Sequence, residues 1–127
     1  MIVFDMGFLF WIYFANAILL ILHEIDSAYW KEWKLFGLKG GMDGFLVFNL
    51  IAVIPLLYGL VEISNETWIG FVLSLLVGIV GLFTFLIHAF YLKKGTKEFD
   101  VLSSKLILFA ILFVSAAQVW FSIQNLI

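Results

Sequence analysis

Four stretches of this chain are apolar for long enough to carry a helical backbone across a hydrocarbon layer: residues 6–22, 45–61, 68–92 and 101–127. A spanning helix needs about 20 largely apolar residues, and helices are favoured because a lipid-exposed backbone must satisfy its own hydrogen bonds. With 65% hydrophobic and 13% charged residues in 127, the chain is far too apolar for a soluble fold. The expected fold is all-α: a membrane four-helix bundle forming a single transmembrane domain over residues 1–127, with helices at about 6–36, 44–62, 67–92 and 101–126.

The charges orient that bundle. Lys31, Lys34 and Lys39 fall in the first connection, and Lys93, Lys94, Lys97 and Lys105 in or beside the third, whereas the second connection and the two ends carry no basic residue. The bias of lysine toward cytoplasmic loops predicts both termini outside and loops one and three inside. Tyr29, Trp30, Trp33 and Tyr91 then belong to an inner aromatic belt, and Trp11, Tyr58, Trp68 and Trp120 to an outer one. Residues 1–5 carry no positive charge and no cleavage-like small residues follow, so the first helix is expected to be retained. Seven lysines without arginine suit a prokaryotic origin, and the cytoplasmic (inner) membrane is the expected location. A net charge of −2 argues against nucleic acid as a partner, and the absence of cysteine removes disulfides, thiolate metal sites and thiol catalysis.

Between residues 22 and 36 there is no glycine or proline, so the first helix is expected to continue along the inner membrane surface with Tyr29, Trp30, Lys31, Trp33 and Lys34 at headgroup level. Gly37 suits a helix C-cap, Asp43 and Asp100 are placed to N-cap the second and fourth helices, and Asn65 reads as a cap. Pro55 predicts a kink in the second helix. On the third helix Gly70, Ser74, Gly78 and Gly81 share one face at spacings of four and three, a close-packing surface. On the fourth, Ser104, Ser115, Gln118, Ser122 and Asn125 form a polar stripe suited to interhelical hydrogen bonds.

The dense polar cluster lies where the first apolar run meets water. His23, Glu24, Asp26, Asn49, His88 and Ser104 share a depth near the inner boundary, and ionisable groups there mark function unless they are paired or solvated. His23 and Asp26, at i and i+3, can share an ion with His88; no cofactor is certain from the sequence, zinc or iron being the candidate ions and Glu24 or Ser104 the candidate catalytic helpers. The second histidine of a zincin motif is missing, because Ser27 stands at that position. A titrating histidine pair also fits a proton- or ion-coupled transporter, although no acidic residue occupies mid-bilayer.

The run His23-Glu24-Ile25-Asp26-Ser27-Ala28-Tyr29-Trp30-Lys31-Glu32-Trp33-Lys34-Leu35-Phe36, followed by glycines and a second apolar helix, resembles an uncharacterised family of small prokaryotic four-helix integral membrane proteins, a domain of unknown function. The resemblance implies an integral membrane protein and assigns no role to any residue. Binding or accessory function is expected in preference to catalysis, exercised through the polar cluster and the glycine face. Membrane lipids, a homo-oligomer or a larger membrane complex are the expected partners. A membrane-embedded metal-dependent hydrolase using His23, Asp26 and His88 is the first alternative, and a small transporter the second.

Overall fold

The computed structural model describes residues 6–127; residues 1–5, on which the reading of a retained N-terminus rests, lie outside the described residues. Five helices follow one another: α1 (Met6–Trp30), the single turn α2 (Glu32–Leu35), α3 (Gly41–Ser64), α4 (Trp68–Lys93) and α5 (Leu102–Leu126). All but α2 are long and apolar enough to cross a membrane. They run up and down, so the ends of α1 and α4 and the starts of α3 and α5 share the lysine-rich side.

The first helix does not continue to residue 36. Lys31 takes up left-handed backbone (φ 54°, ψ 57°), a conformation that costs an L-residue about 1–2 kcal/mol, and the chain turns into α2. Contacts made on either side hold the break: the Trp30 indole donates to Ser104 Oγ (3.4 Å), and Glu32 reaches the histidines described below. Gly37 (φ 66°) then closes α2, with its N–H on Lys34 O and that of Leu38 on Trp33 O, the paired bonds of a Schellman cap. The expected aspartate caps are corrected. Gly40 and Val101 hold the N-cap positions of α3 and α5. Asp43 lies inside the first turn, where its charge favours the helix dipole, and Asp100 pairs with Lys105 Nζ (2.6 Å). Asn65 is the C-cap of α3, and Thr67 Oγ1 N-caps α4 by accepting from Gly70 N (3.0 Å).

The bundle is knit at mid-depth by side chains with almost no access to solvent or lipid. Asn16 Nδ2 donates to Gln118 Oε1 (2.7 Å) and Ser115 Oγ (3.1 Å); Gln118 Nε2 donates to Ser74 O (2.9 Å); and Ser122 Oγ donates to Ser74 Oγ (2.8 Å). This chain of bonds ties α1, α4 and α5 together. It needs close backbones, and Gly78 and Gly81 provide them: a Cβ at Gly81 would overlap Ser115 Oγ, and one at Gly78 would meet Val119 and the Ser115 carbonyl. Gly70, Ser74, Gly78 and Gly81 are all buried. The face expected to receive a partner is therefore filled from within the same chain, chiefly by α5.

Helix α3 is held differently. Its buried residues, Leu56, Gly59 and Ile63, all fall in its C-terminal half. There Tyr13, fully buried, donates to the Leu56 carbonyl (2.5 Å) and presses against Gly59, while Gly70 packs on the backbone of Glu62 and Ile63. Gly41 to Pro55 contributes nothing to the buried core.

The mid-depth network predicts that Gly81→Ala destabilises the bundle by about 1–3 kcal/mol through overpacking, whereas Leu86→Ala on the exposed face stays within about 0.5 kcal/mol. Unfolding of both variants in one detergent reads the difference; equal stabilities would contradict the packing described.

Candidate functional site

His23 lies two turns before the end of α1 and His88 five residues before the end of α4. At a rise of about 1.5 Å per residue both rings sit roughly 8–10 Å below the helix ends. Their rings meet edge to face, with centroids 4.5 Å apart and an interplanar angle of 87°. Both are almost wholly buried. Phe99, in the turn before α5, stacks on His23 (5.7 Å, 30°) and meets His88 edge-on (4.5 Å, 82°), and Phe36 closes on His88 from α2 (5.6 Å). Phe99 is itself buried and left-handed (φ 66°), a strained state for a bulky residue, of the kind that persists only where the surroundings over-determine it.

The carboxylate delivered to this pair is that of Glu32. Its Oε1 lies 2.9 Å from His88 Nε2 and 3.9 Å from His23 Nε2. The Lys31 break makes this possible, because it folds α2 back beneath the histidines. Where the sequence reading set Asp26 beside the two histidines, among the described residues the possible ligand atoms within 4.8 Å of one another belong to His23, Glu32 and His88. Asp26 is half-buried, with one shielded oxygen lacking a hydrogen-bond partner, and stands outside that group.

The remaining candidates divide. Glu24 lies beside the triad, in electrostatic reach of Glu32 and His88, with the Asn49 amide as hydrogen-bonding neighbour and its own Oε2 buried without a partner. Asn49 also donates to the Phe45 carbonyl (2.9 Å). Ser104, buried, accepts from Trp30 and so anchors the end of α1. At the surface, Tyr29, Lys31 and Lys34 are exposed, while Trp30 and Trp33 are half-buried, Trp33 against Phe45 (5.2 Å). Sequence reasoning missed Glu32 and Phe99. Glu32 falls within the run singled out for its polarity, but an unbroken helix would have carried it along the membrane surface, and nothing in the order of residues announces the turn at Lys31.

The triad closes one end of a groove between α1, α3 and α4, with a volume of about 800 Å³. Leu20, Phe48, Ala52, Leu73 and Val77 are among its apolar walls, and His23, Glu24, Glu32, Asn49 and His88 gather at its polar end. The groove borders the half of α3 that carries no buried residue, whereas Leu56, Gly59 and Ile63 bury the other half.

A family profile described as "Family of unknown function (DUF6713)" matches residues 9–125. Neither a curated protein nor a solved structure matches the chain.

The left-handed Phe99 yields a prediction about the site's frame. Phe99→Ala and Phe99→Gly lose the same ring, yet the glycine variant is expected to be more stable than the alanine variant by about 1–2 kcal/mol, because only alanine keeps the backbone penalty. Thermal unfolding of the two proteins decides it, and alanine matching or exceeding glycine would show that residue 99 is not left-handed.

Proposed function

The chain belongs to this family of unknown function, and we propose that it is a membrane-embedded binding protein for a single amphiphile, whose chain lies in the groove between α1, α3 and α4 and whose head is held by the polar cluster. One observation carries this reading: an apolar groove of about 800 Å³ that ends on buried polar groups with unused hydrogen-bonding capacity. Small-molecule sites have volumes of about 300–1,000 Å³ and combine apolar walls with a few convergent polar groups.

The chemistry of the polar end defines the head. Glu24 Oε2 is a buried acceptor without a donor, and His23 Nδ1 is likewise unpartnered. Carboxylates in such a place call for a hydroxyl or ammonium group rather than a phosphate. By the lysine bias that end faces the cytoplasm, so the amphiphile would enter from the inner leaflet. Exposed apolar residues such as Ile21, Leu46, Phe48 and Phe83 are among those lining the groove, which suits a chain arriving sideways from lipid better than a solute arriving from water.

A hydrolase acting on the same amphiphile draws support from Glu24, a carboxylate beside the histidine pair that is free to serve as acid or base. Transport is less favoured. The polar side chains at mid-depth, Asn16, Gln118, Ser74, Ser115 and Ser122, are engaged with one another and leave no graded path from the triad to the other side.

The reading predicts that protein purified in mild detergent retains about one amphiphile per chain, measured by extraction and mass spectrometry. Ala52→Trp, which fills the groove wall, should lose most of it, while Ile79→Trp, on an exposed face away from the groove, should retain it. Equal retention by the two variants, or a groove covered by a second copy of the chain in crosslinking, would overturn the proposal.

A further inference from the structure

His23 Nε2 has a side-chain neighbour in Ser27 Oγ (3.3 Å), whereas the approach of Glu32 to His88 is not explained by side-chain pairing alone. His88 Nδ1 lies 2.8 Å from the Thr84 carbonyl oxygen. A carbonyl only accepts, so Nδ1 carries the proton and donates it. In the neutral ring Nε2 therefore presents a lone pair, and it does so 2.9 Å from a carboxylate oxygen, another acceptor. Such a contact is repulsive unless a positive charge lies between or beside the two atoms.

A proton on His88 Nε2 or on Glu32 would join the two atoms by a hydrogen bond, but the contact lacks hydrogen-bond geometry. Nε2 finds no hydrogen-bond partner despite the short distance, so its in-plane axis, with any lone pair along it, passes beside Glu32 Oε1, as it does when two ligand atoms face a common ion. Lysine does not supply the charge either: among the described residues, no lysine lies within ion-pair distance of Glu24 or Glu32. Two carboxylates and two buried imidazoles are thus gathered near the membrane boundary with no protein cation among them.

We propose that His23, Glu32 and His88 bind one divalent transition-metal ion of the zinc or ferrous class. Bonds of about 2.0–2.1 Å to a tetrahedral ion place neighbouring ligand atoms about 3.3 Å apart. The separations from Glu32 Oε1, 2.9 Å to His88 Nε2 and 3.9 Å to His23 Nε2, bracket that edge. The donor set selects the ion: two nitrogens and one carboxylate oxygen suit zinc or ferrous iron, whereas calcium and magnesium prefer all-oxygen surroundings. The bond from His88 Nδ1 to the Thr84 carbonyl is the outer contact that fixes ring orientation and tautomer in metal-binding histidines. Three protein ligands would leave a coordination position open, and all three residues line the groove.

The site differs from the sequence expectation in its carboxylate, and that difference is what the experiment exploits. It is independent of the amphiphile reading, since an ion can bind whether or not the groove holds a chain. Tag-free, full-length protein in detergent is stripped with chelator and titrated with Co²⁺ followed by Zn²⁺. Elemental mass spectrometry gives the stoichiometry, and the visible d–d absorption of Co²⁺ reports coordination. One ion per chain is expected, with a cobalt spectrum abolished by zinc.

Loss of a ligand should weaken binding by at least about 100-fold, the upper end of what removal of an outer contact causes. That is expected for Glu32→Gln and for His88→Gln, while Asp26→Asn binds as the unaltered chain does. Should His88→Gln fail to fold, Glu32→Gln decides alone, because Glu32 lies on α2 outside the spanning helices and circular dichroism checks its fold. The proposal is overturned if the unaltered chain binds no stoichiometric ion, if Glu32→Gln binds with unchanged affinity, or if Asp26→Asn abolishes binding.

Discussion

A polar group in a hydrocarbon layer without a partner costs several kcal/mol, and this chain meets that constraint in two opposite ways. At mid-depth every amide and hydroxyl of the Asn16, Gln118, Ser74, Ser115 and Ser122 group has a partner, and the group serves to hold α1, α4 and α5 in register. Near the lysine-rich end the buried polar groups are not saturated. His23 Nδ1, Glu24 Oε2 and His88 Nε2 have no hydrogen-bond partner, and the Glu32 carboxylate lies 2.9 Å from His88 Nε2. The first group is a structural device because it is complete, and the second is the proposed site because it is incomplete.

The same division separates the helices. Three of the spanning helices form a tight unit whose closest approaches depend on Gly78 and Gly81. The other, α3, is fixed at one end by Tyr13, Gly59 and the turn at Thr67, and contributes no buried residue before Leu56. The groove follows from that asymmetry, and its polar end coincides with the unsaturated cluster. The amphiphile and the ion proposed above would share that one opening between helices.

Hydropathy made the spans legible, since the need to satisfy the backbone in lipid leaves little freedom in reading four long apolar runs. The close-packing face of α4 was legible for a similar reason: small residues at spacings of four and three have few other uses in a membrane helix. The pairing of His23 with His88 could be anticipated from depth. Glu32 could not. Its arrival depends on the left-handed turn at Lys31, where tertiary contacts of Trp30 and Glu32 override a sequence containing no glycine or proline. Asp43 and Asp100 show the weaker side of cap reading, since an aspartate near a helix start is as well satisfied by the dipole or by a lysine as by a cap. Phe99 carries no local signal, because its role comes from the two rings it touches.

The site as a whole depends on Glu32 turning back onto His23 and His88 beside the half of α3 that carries no buried residue. An X-ray structure of the lipid-reconstituted protein, with anomalous data collected at a zinc or iron edge, tests it most directly. The account predicts an anomalous peak within bonding distance of His88 Nε2 and Glu32, and elongated density in the groove. A continuous helix through Lys31, with Glu32 facing water and α3 packed along its whole length against α1, would contradict it.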